Sequence, residues 1–196
     1  MQTTEPHSLQ LELDELLAAE FNYIAQTAIQ ANEDRARVSS FYLVAVGSLV
    51  ATLFGTQLFE SDFFSPSVNL MFGGLFLLLT ALGFFTTMQL ARLRAAWYDS
   101  AQAMNQIKDF MVSLNPAVGD AFRWTTATLP RKHKTNSVAY FQTIEVALIS
   151  GLMAAMAASF FQQAFPPVSA VNLIVSISLG VLATVLQLLV YKRILE

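Results

Sequence analysis

The sequence predicts an all-α integral membrane protein of four transmembrane helices, the first two extended into a cytoplasmic antiparallel helical hairpin, with topology N-in/C-in. Three observations carry that expectation. Four apolar blocks, 38–59, 63–91, 138–164 and 168–191, are each long enough to cross a hydrocarbon core of about 30 Å as a helix. Glu145 is the only charged residue inside them. All eleven Lys and Arg residues fall on one side of the blocks: Arg35 and Arg37 before the first, Arg92, Arg94, Lys108, Arg123, Arg131, Lys132 and Lys134 between the second and third, and Lys192 and Arg193 after the fourth. Basic residues stay in the cytoplasm, so both termini are expected there, in a multi-pass protein of the plasma (cell inner) membrane.

Composition agrees. The 196 residues are 55% hydrophobic, more than a soluble domain usually carries, and the excess sits in blocks. Residues 1–37 hold seven acids against two arginines and no apolar run, so no signal peptide is expected and the first span remains a helix. The absence of cysteine excludes disulfides, thiolate nucleophiles, thiolate metal ligands and iron-sulfur clusters. The net charge of −3 is unevenly divided: 1–37 is acidic and 115–137 basic, and opposite charges attract.

In chain order, Ser8 can cap a helix whose apolar positions Leu17, Phe21, Ile24, Ala28 and Ala31 recur at spacings of four and three, the stripe of a helix packed on another. Residues 1–37 are therefore a cytoplasmic N-terminal helix. Running on through the first span to Phe59, it reaches about 75 Å at 1.5 Å per residue, so roughly half protrudes as a stalk. Residues 38–91 form the first transmembrane hairpin, with spans at about 38–59 and 66–91 and a short outer turn at 60–67. The second helix also leaves the membrane, along Leu93, Trp97, Met104, Ile107, Met111 and Leu114, and ends at Asn115-Pro116. Two long helices with so short a turn run antiparallel, and their stripes are expected to bury each other as a coiled-coil-like pair. The basic connector completes 92–137. Residues 138–191 form the second hairpin, with spans at about 138–163 and 168–191 separated by 162–167, where Pro166-Pro167 stops the helix. A tail of 192–196 remains.

Glu145, about ten residues into a third helix starting near Lys134 or Thr135, is expected in the inner half of the bilayer, where a carboxylate needs a partner or water. One reading is an ion path or proton site, with Gln142 as second ligand and the polar track Asn172, Ser176, Thr184 and Gln187 of the fourth span lining it. The plainer reading makes Glu145 a buried acid or a partner of Arg92 or Arg94, and the track an interhelical seam. Small residues in register suit close helix packing: Gly47, Ala51 and Gly55 in the first span, Ala147, Gly151, Ala155 and Ser159 in the third, Gly180 in the fourth. In the connector, Arg123, Trp124, Arg131, Lys132 and Lys134 read either as a contact for an anionic ligand or lipid headgroup, or as topogenic charge beside an interfacial aromatic.

An enzyme is not expected: the only histidines are His7 and His133, neither has a turn-spaced partner, and no glycine-rich phosphate loop or nucleophile elbow occurs. No cofactor, no metal and no nucleic-acid partner follow from the residues; the bilayer does. What remains is an oligomeric channel whose stalks assemble it and sense a signal, or a non-conducting scaffold or accessory subunit docking a cytoplasmic protein. A homo-oligomer through the stalk and small-residue faces fits the first. A small proton-coupled transporter using Glu145 ranks third, because internal repeats and broken helices are missing.

Overall fold

Long runs without internal proline give four long helices, α1 (Pro6–Gly55), α2 (Pro66–Leu114), α3 (Val138–Ala164) and α4 (Ala170–Leu195). The computed structural model describes the backbone of residues 6–55, 65–165 and 169–196, and the side-chain surroundings of 12–53, 65–165 and 169–196. No strand occurs among the described residues. All four helices are long and apolar enough to cross a membrane, the pattern of an integral membrane protein. Proline opens α1 and α2 at the first helical position, where its missing N–H has no intrahelical partner to lose.

Several boundaries differ from those the sequence suggests. Because α1 begins at Pro6, Ser8 lies inside the helix and is not its cap. The start of α3 is fixed by Ser137, whose hydroxyl accepts from the Tyr140 N–H, so Glu145 lies seven residues beyond Val138 rather than ten into the helix. α4 starts at Ala170, two residues after 168. The end of the first span beyond Gly55, residues 56–64 of the outer turn, and Pro166-Pro167 lie outside the described residues. Between α2 and α3, the 3₁₀ helices η1 (Pro116–Ala121) and η2 (Thr126–Thr128) fold the connector, the first capped by the Asn115 side chain, which accepts from the Ala117 N–H.

The chain forms two compact units, 1–34 with 93–132 and 35–92 with 133–196. In the first, Leu17, Phe21 and Ile24 are half-buried and Ala28 and Ala31 buried, and the Lys108 ammonium lies 5.8 Å from the centre of the Phe21 ring. On α2 in this unit Ser100, Ala101 and Asn105 are buried, Leu93, Trp97, Met104 and Ile107 of the large-residue stripe are half-buried, and Met111 and Leu114 are exposed. Ile107 lines a groove with Leu17 and Phe21 of α1, and Asn105 Nδ2 donates to the Thr125 carbonyl of the connector at 3.1 Å.

The second unit is built on Tyr42, Val46, Phe72, Phe76, Leu79, Leu90, Val146, Met153, Ala157 and Phe160. Phe76 stacks on Phe160 at 5.4 Å, and Phe72 meets the same ring at 5.5 Å. Contacts between numbered positions give the helix directions. α2 runs against α3, since Phe76 meets Phe160 and Thr80 meets Ser150. α4 runs against α3 too, since Gly180 lies on Gly151 and Thr184 on Ala147. α1 runs with α3, since Arg35 meets Gln142 and Tyr42 lies beside Ser150.

Candidate functional site

Polar chemistry in the second unit collects at one junction of all four helices. Gln187 of α4 is 2% exposed; its Oε1 accepts from Thr87 Oγ1 at 3.1 Å and its Nε2 donates to Ser150 Oγ at 2.8 Å. Ser150 in turn donates to the Thr80 carbonyl at 3.1 Å. The junction closes around Gly83 of α2, where a Cβ would stand 2.5 Å from Ser150 Oγ and 2.7 Å from the Tyr42 hydroxyl. Glycine is needed there to let three helices meet. Farther along, Ser176 Oγ donates to Gln162 Oε1 at 3.4 Å and Thr184 Oγ1 donates to the Ala147 carbonyl at 3.2 Å. Of the α4 polar track, then, Ser176, Thr184 and Gln187 are engaged inside the unit, and half-buried Asn172 accepts from Ser169 at the helix start. In a hydrocarbon surrounding such bonds hold a bundle together because no water competes for the donors.

The α3–α4 contact is made by small residues. A Cβ at Gly180 would come within 2.7 Å of the Gly151 carbonyl and 2.9 Å of Ala155 Cβ, and one at Gly151 would strike Thr184 and the Gly180 carbonyl. Ala147 is buried beside them, and Ser159 is half-buried at the far end, accepting from Gln163. The small residues of α1 have a different setting. Gly47 and Ala51 are exposed, with open space over Gly47. The surroundings of Gly55 lie outside the described residues.

Glu145 faces outward. It is exposed on α3 in line with Phe141, Leu148 and Leu152, each more than half exposed, and makes no ion pair with Arg92. Arg94 is buried in the other unit, where its Nε donates to the Lys132 carbonyl at 3.3 Å and its guanidinium lies 4.4 Å from the Trp97 ring. Gln142, expected beside Glu145, instead accepts from Arg35 Nε at 3.0 Å.

The connector residues do not converge on one pocket. Arg123 stacks on Trp124 at 5.4 Å, Lys132 pairs with Asp99 at 3.1 Å and lies over Tyr98, Arg131 is exposed, and Lys134 belongs to the second unit. Trp124 does line a cleft of about 290 Å³ with Trp97, Asn105, Lys108, Leu129 and Pro130.

Comparison with known protein families, curated proteins and solved structures finds no match. The arrangement itself must therefore carry the functional reading. Among the described residues no three His, Asp or Glu side chains gather as metal ligands. Gln187, Thr87 and Ser150 bond one another across three helices, while the buried Tyr42 hydroxyl beside them has no hydrogen-bond partner among the described residues. Tyr42, Gly83, Thr87 and Asn105 were not singled out from sequence. Gly83 left one signal: a glycine among large apolar residues in a span marks a close approach.

Proposed function

We propose that the chain is a subunit of an oligomeric membrane pore, in which several copies surround a path lined by α1, with both termini in the cytoplasm. One observation carries this reading. Over 40–51, α1 leaves exposed among the described residues a face that carries Ser40, Gly47, Ser48 and Ala51 together with the larger Phe41 and Val44. The outward face of α4, by contrast, is mostly apolar, at Leu173, Ile174, Ile177, Val181 and Leu189 with the single hydroxyl Ser178 among them, and suits lipid. Because Ser176, Thr184 and Gln187 of α4 are bonded inside the unit, a hydrated path fits between copies better than within one.

The orientation rests on the basic residues flanking the spans, and it puts the first unit in the cytoplasm as an assembly or sensing arm. Ion flux through the protein in proteoliposomes tests the proposal. With Ser48→Cys, a water-soluble charged thiol reagent is expected to block flux, whereas Ile177→Cys is expected to be inert. Absence of flux, or an unreactive Ser48→Cys, overturns it.

A second reading, a non-conducting scaffold or accessory subunit, draws on a groove of about 520 Å³ in the first unit. Leu17, Ala18, Phe21, Ile107, Met111 and Phe122 line it, with Asp14 and Lys108 at the rim. An apolar trough with one charge of each sign suits an amphipathic helix from a cytoplasmic protein.

A further inference from the structure

We propose that copies associate through a head-to-tail contact in which the α3 stripe of one copy fills the α1/α2 groove of the next, pairing Glu145 with the neighbour's Arg37. This deepens the oligomeric-pore reading and rests on it. Three observations combine. First, a carboxylate on the outward, apolar face of a helix within a span costs free energy if lipid covers it, so that face needs a covering that offers a cation or donors. Second, the same unit carries an open groove of about 390 Å³ between α1 and α2, with Arg37, Phe41, Ala45, Leu82, Phe85 and Gln89 in its lining. Arg37 is exposed there, while also engaged within its own chain.

Third, the levels agree. Arg35 meets Gln142 and Tyr42 lies beside Ser150, so α3 residues stand level with α1 residues numbered 107 to 108 lower. Glu145 is thus level with Arg37 and Val38, and Leu152 with Ala45. On α2, which runs the other way, Gly83 is level with Ser150, which puts Phe85 level with Leu148 and Gln89 near Ile144. In a ring whose axis is normal to the membrane, all copies sit at one depth. Charge then meets charge, Leu148 meets Phe85 and Phe41, and Leu152 meets the small Ala45.

Charge also decides against the symmetric alternative. Two α3 stripes packed on each other about a twofold axis along the membrane normal would bring Glu145 against Glu145 at one depth, and like charges facing each other oppose association. A head-to-tail contact that closes forms a ring. In this unit α1 touches α2 on one flank and α3 on the other. Neighbours engaged through the α1/α2 groove and the α3 stripe therefore leave the outward corner of α1 toward the ring axis, where the hydroxyl face is placed by the pore reading.

The cysteine-free chain allows a direct test in nanodiscs or proteoliposomes. Two full-length populations are prepared, one Phe85→Cys and one Leu148→Cys, and oxidised separately and mixed. Disulfide dimers are expected only in the mixture. In parallel, Glu145→Arg and Arg37→Glu are each expected to lower the assembly constant by about tenfold or more, read as oligomer mass against concentration, with the double exchange restoring it. Dimers of Leu148→Cys alone indicate the symmetric contact and overturn the inference. So does an exchange that fails to rescue, or a monomer in every preparation. Oligomers that conduct but lack the mixed disulfide sink this interface and leave the pore reading standing; monomers without flux sink both.

Discussion

At the residue scale, the second unit is governed by which positions tolerate a Cβ. Gly74 and Gly83 lie in the same helix, yet a side chain at 74 meets nothing within 4 Å whereas one at 83 strikes Ser150 and Tyr42. Gly74→Ala is therefore expected to leave stability unchanged or raise it by up to about 1 kcal/mol through helix propensity. Gly83→Ala is expected to lower it by roughly 1–3 kcal/mol through overpacking. Thermal unfolding followed by helicity in one detergent checks both, and equal effects would show that the junction is loosely packed. Gln187→Leu removes two buried hydrogen bonds and leaves Thr87 and Ser150 each short of a partner, a cost of about 1–2 kcal/mol by the same measurement. This junction was only half legible in the sequence. Periodicity finds the α4 polar residues, but which of them bond inward depends on the rotation of α4 against α3, and that is set by the Gly151–Gly180 contact, a pairing between distant positions. Glu145 was visible as an anomaly for its charge alone. Its outward direction follows from the same rotation.

At the scale of the elements, the sequence carried more. Four helices follow from block length and hydropathy, and the end of α2 at Leu114 follows from Asn115-Pro116, because the residue before proline avoids helical geometry. Basic residues mark the interface without fixing a helix end, so the sequence starts α3 near Lys134 or Thr135, whereas the cap, through the Ser137 hydroxyl, starts it at Val138. Beyond Arg92 the large residues of α2 mark one half-buried stripe, Leu93, Trp97, Met104 and Ile107, whereas the more deeply buried Ser100, Ala101 and Asn105 carry no apolar signal, and Asn105 bonds the connector at Thr125. For α1 the stripe and the burial agree at Leu17, Phe21, Ile24, Ala28 and Ala31. Phe21→Asp or Ile24→Asp puts a charge where apolar surface was half-buried and is expected to destabilise the first unit by about 2–3 kcal/mol, lowering its unfolding temperature. Gln26→Asp, at an exposed position, is the control and should do nothing. Orientation has its own check. A cysteine at Ser65 should react with an impermeant thiol reagent in intact cells, and one at Thr128 only after permeabilisation. Labelling of Thr128→Cys in intact cells reverses the proposed orientation and with it the cytoplasmic arm.

For the whole molecule, the question is which face meets the ions. The polar track of α4 and the carboxylate of α3 are the two features that sequence offers as a path, and neither has the setting of one in a single chain. Ser176, Thr184 and Gln187 of the track are bonded inside the unit, and Glu145 stands on an apolar outer stripe at the level of a groove that carries Arg37. The hydroxyl face of α1 remains. If copies surround an axis with that face inward, Ser48→Glu installs a ring of carboxylates on the path and should raise cation preference, read as a shift of reversal potential in a salt gradient. Glu145→Gln should lower the amount of assembled protein while leaving selectivity per assembled oligomer unchanged, because the residue then serves contact between copies. The reverse pattern, an altered selectivity in Glu145→Gln with a silent Ser48→Glu, would turn α3 to the axis and make Glu145 the carboxylate that ions meet. Measuring flux per oligomer, rather than per milligram of protein, separates the two, since an assembly defect lowers only the number of conducting units.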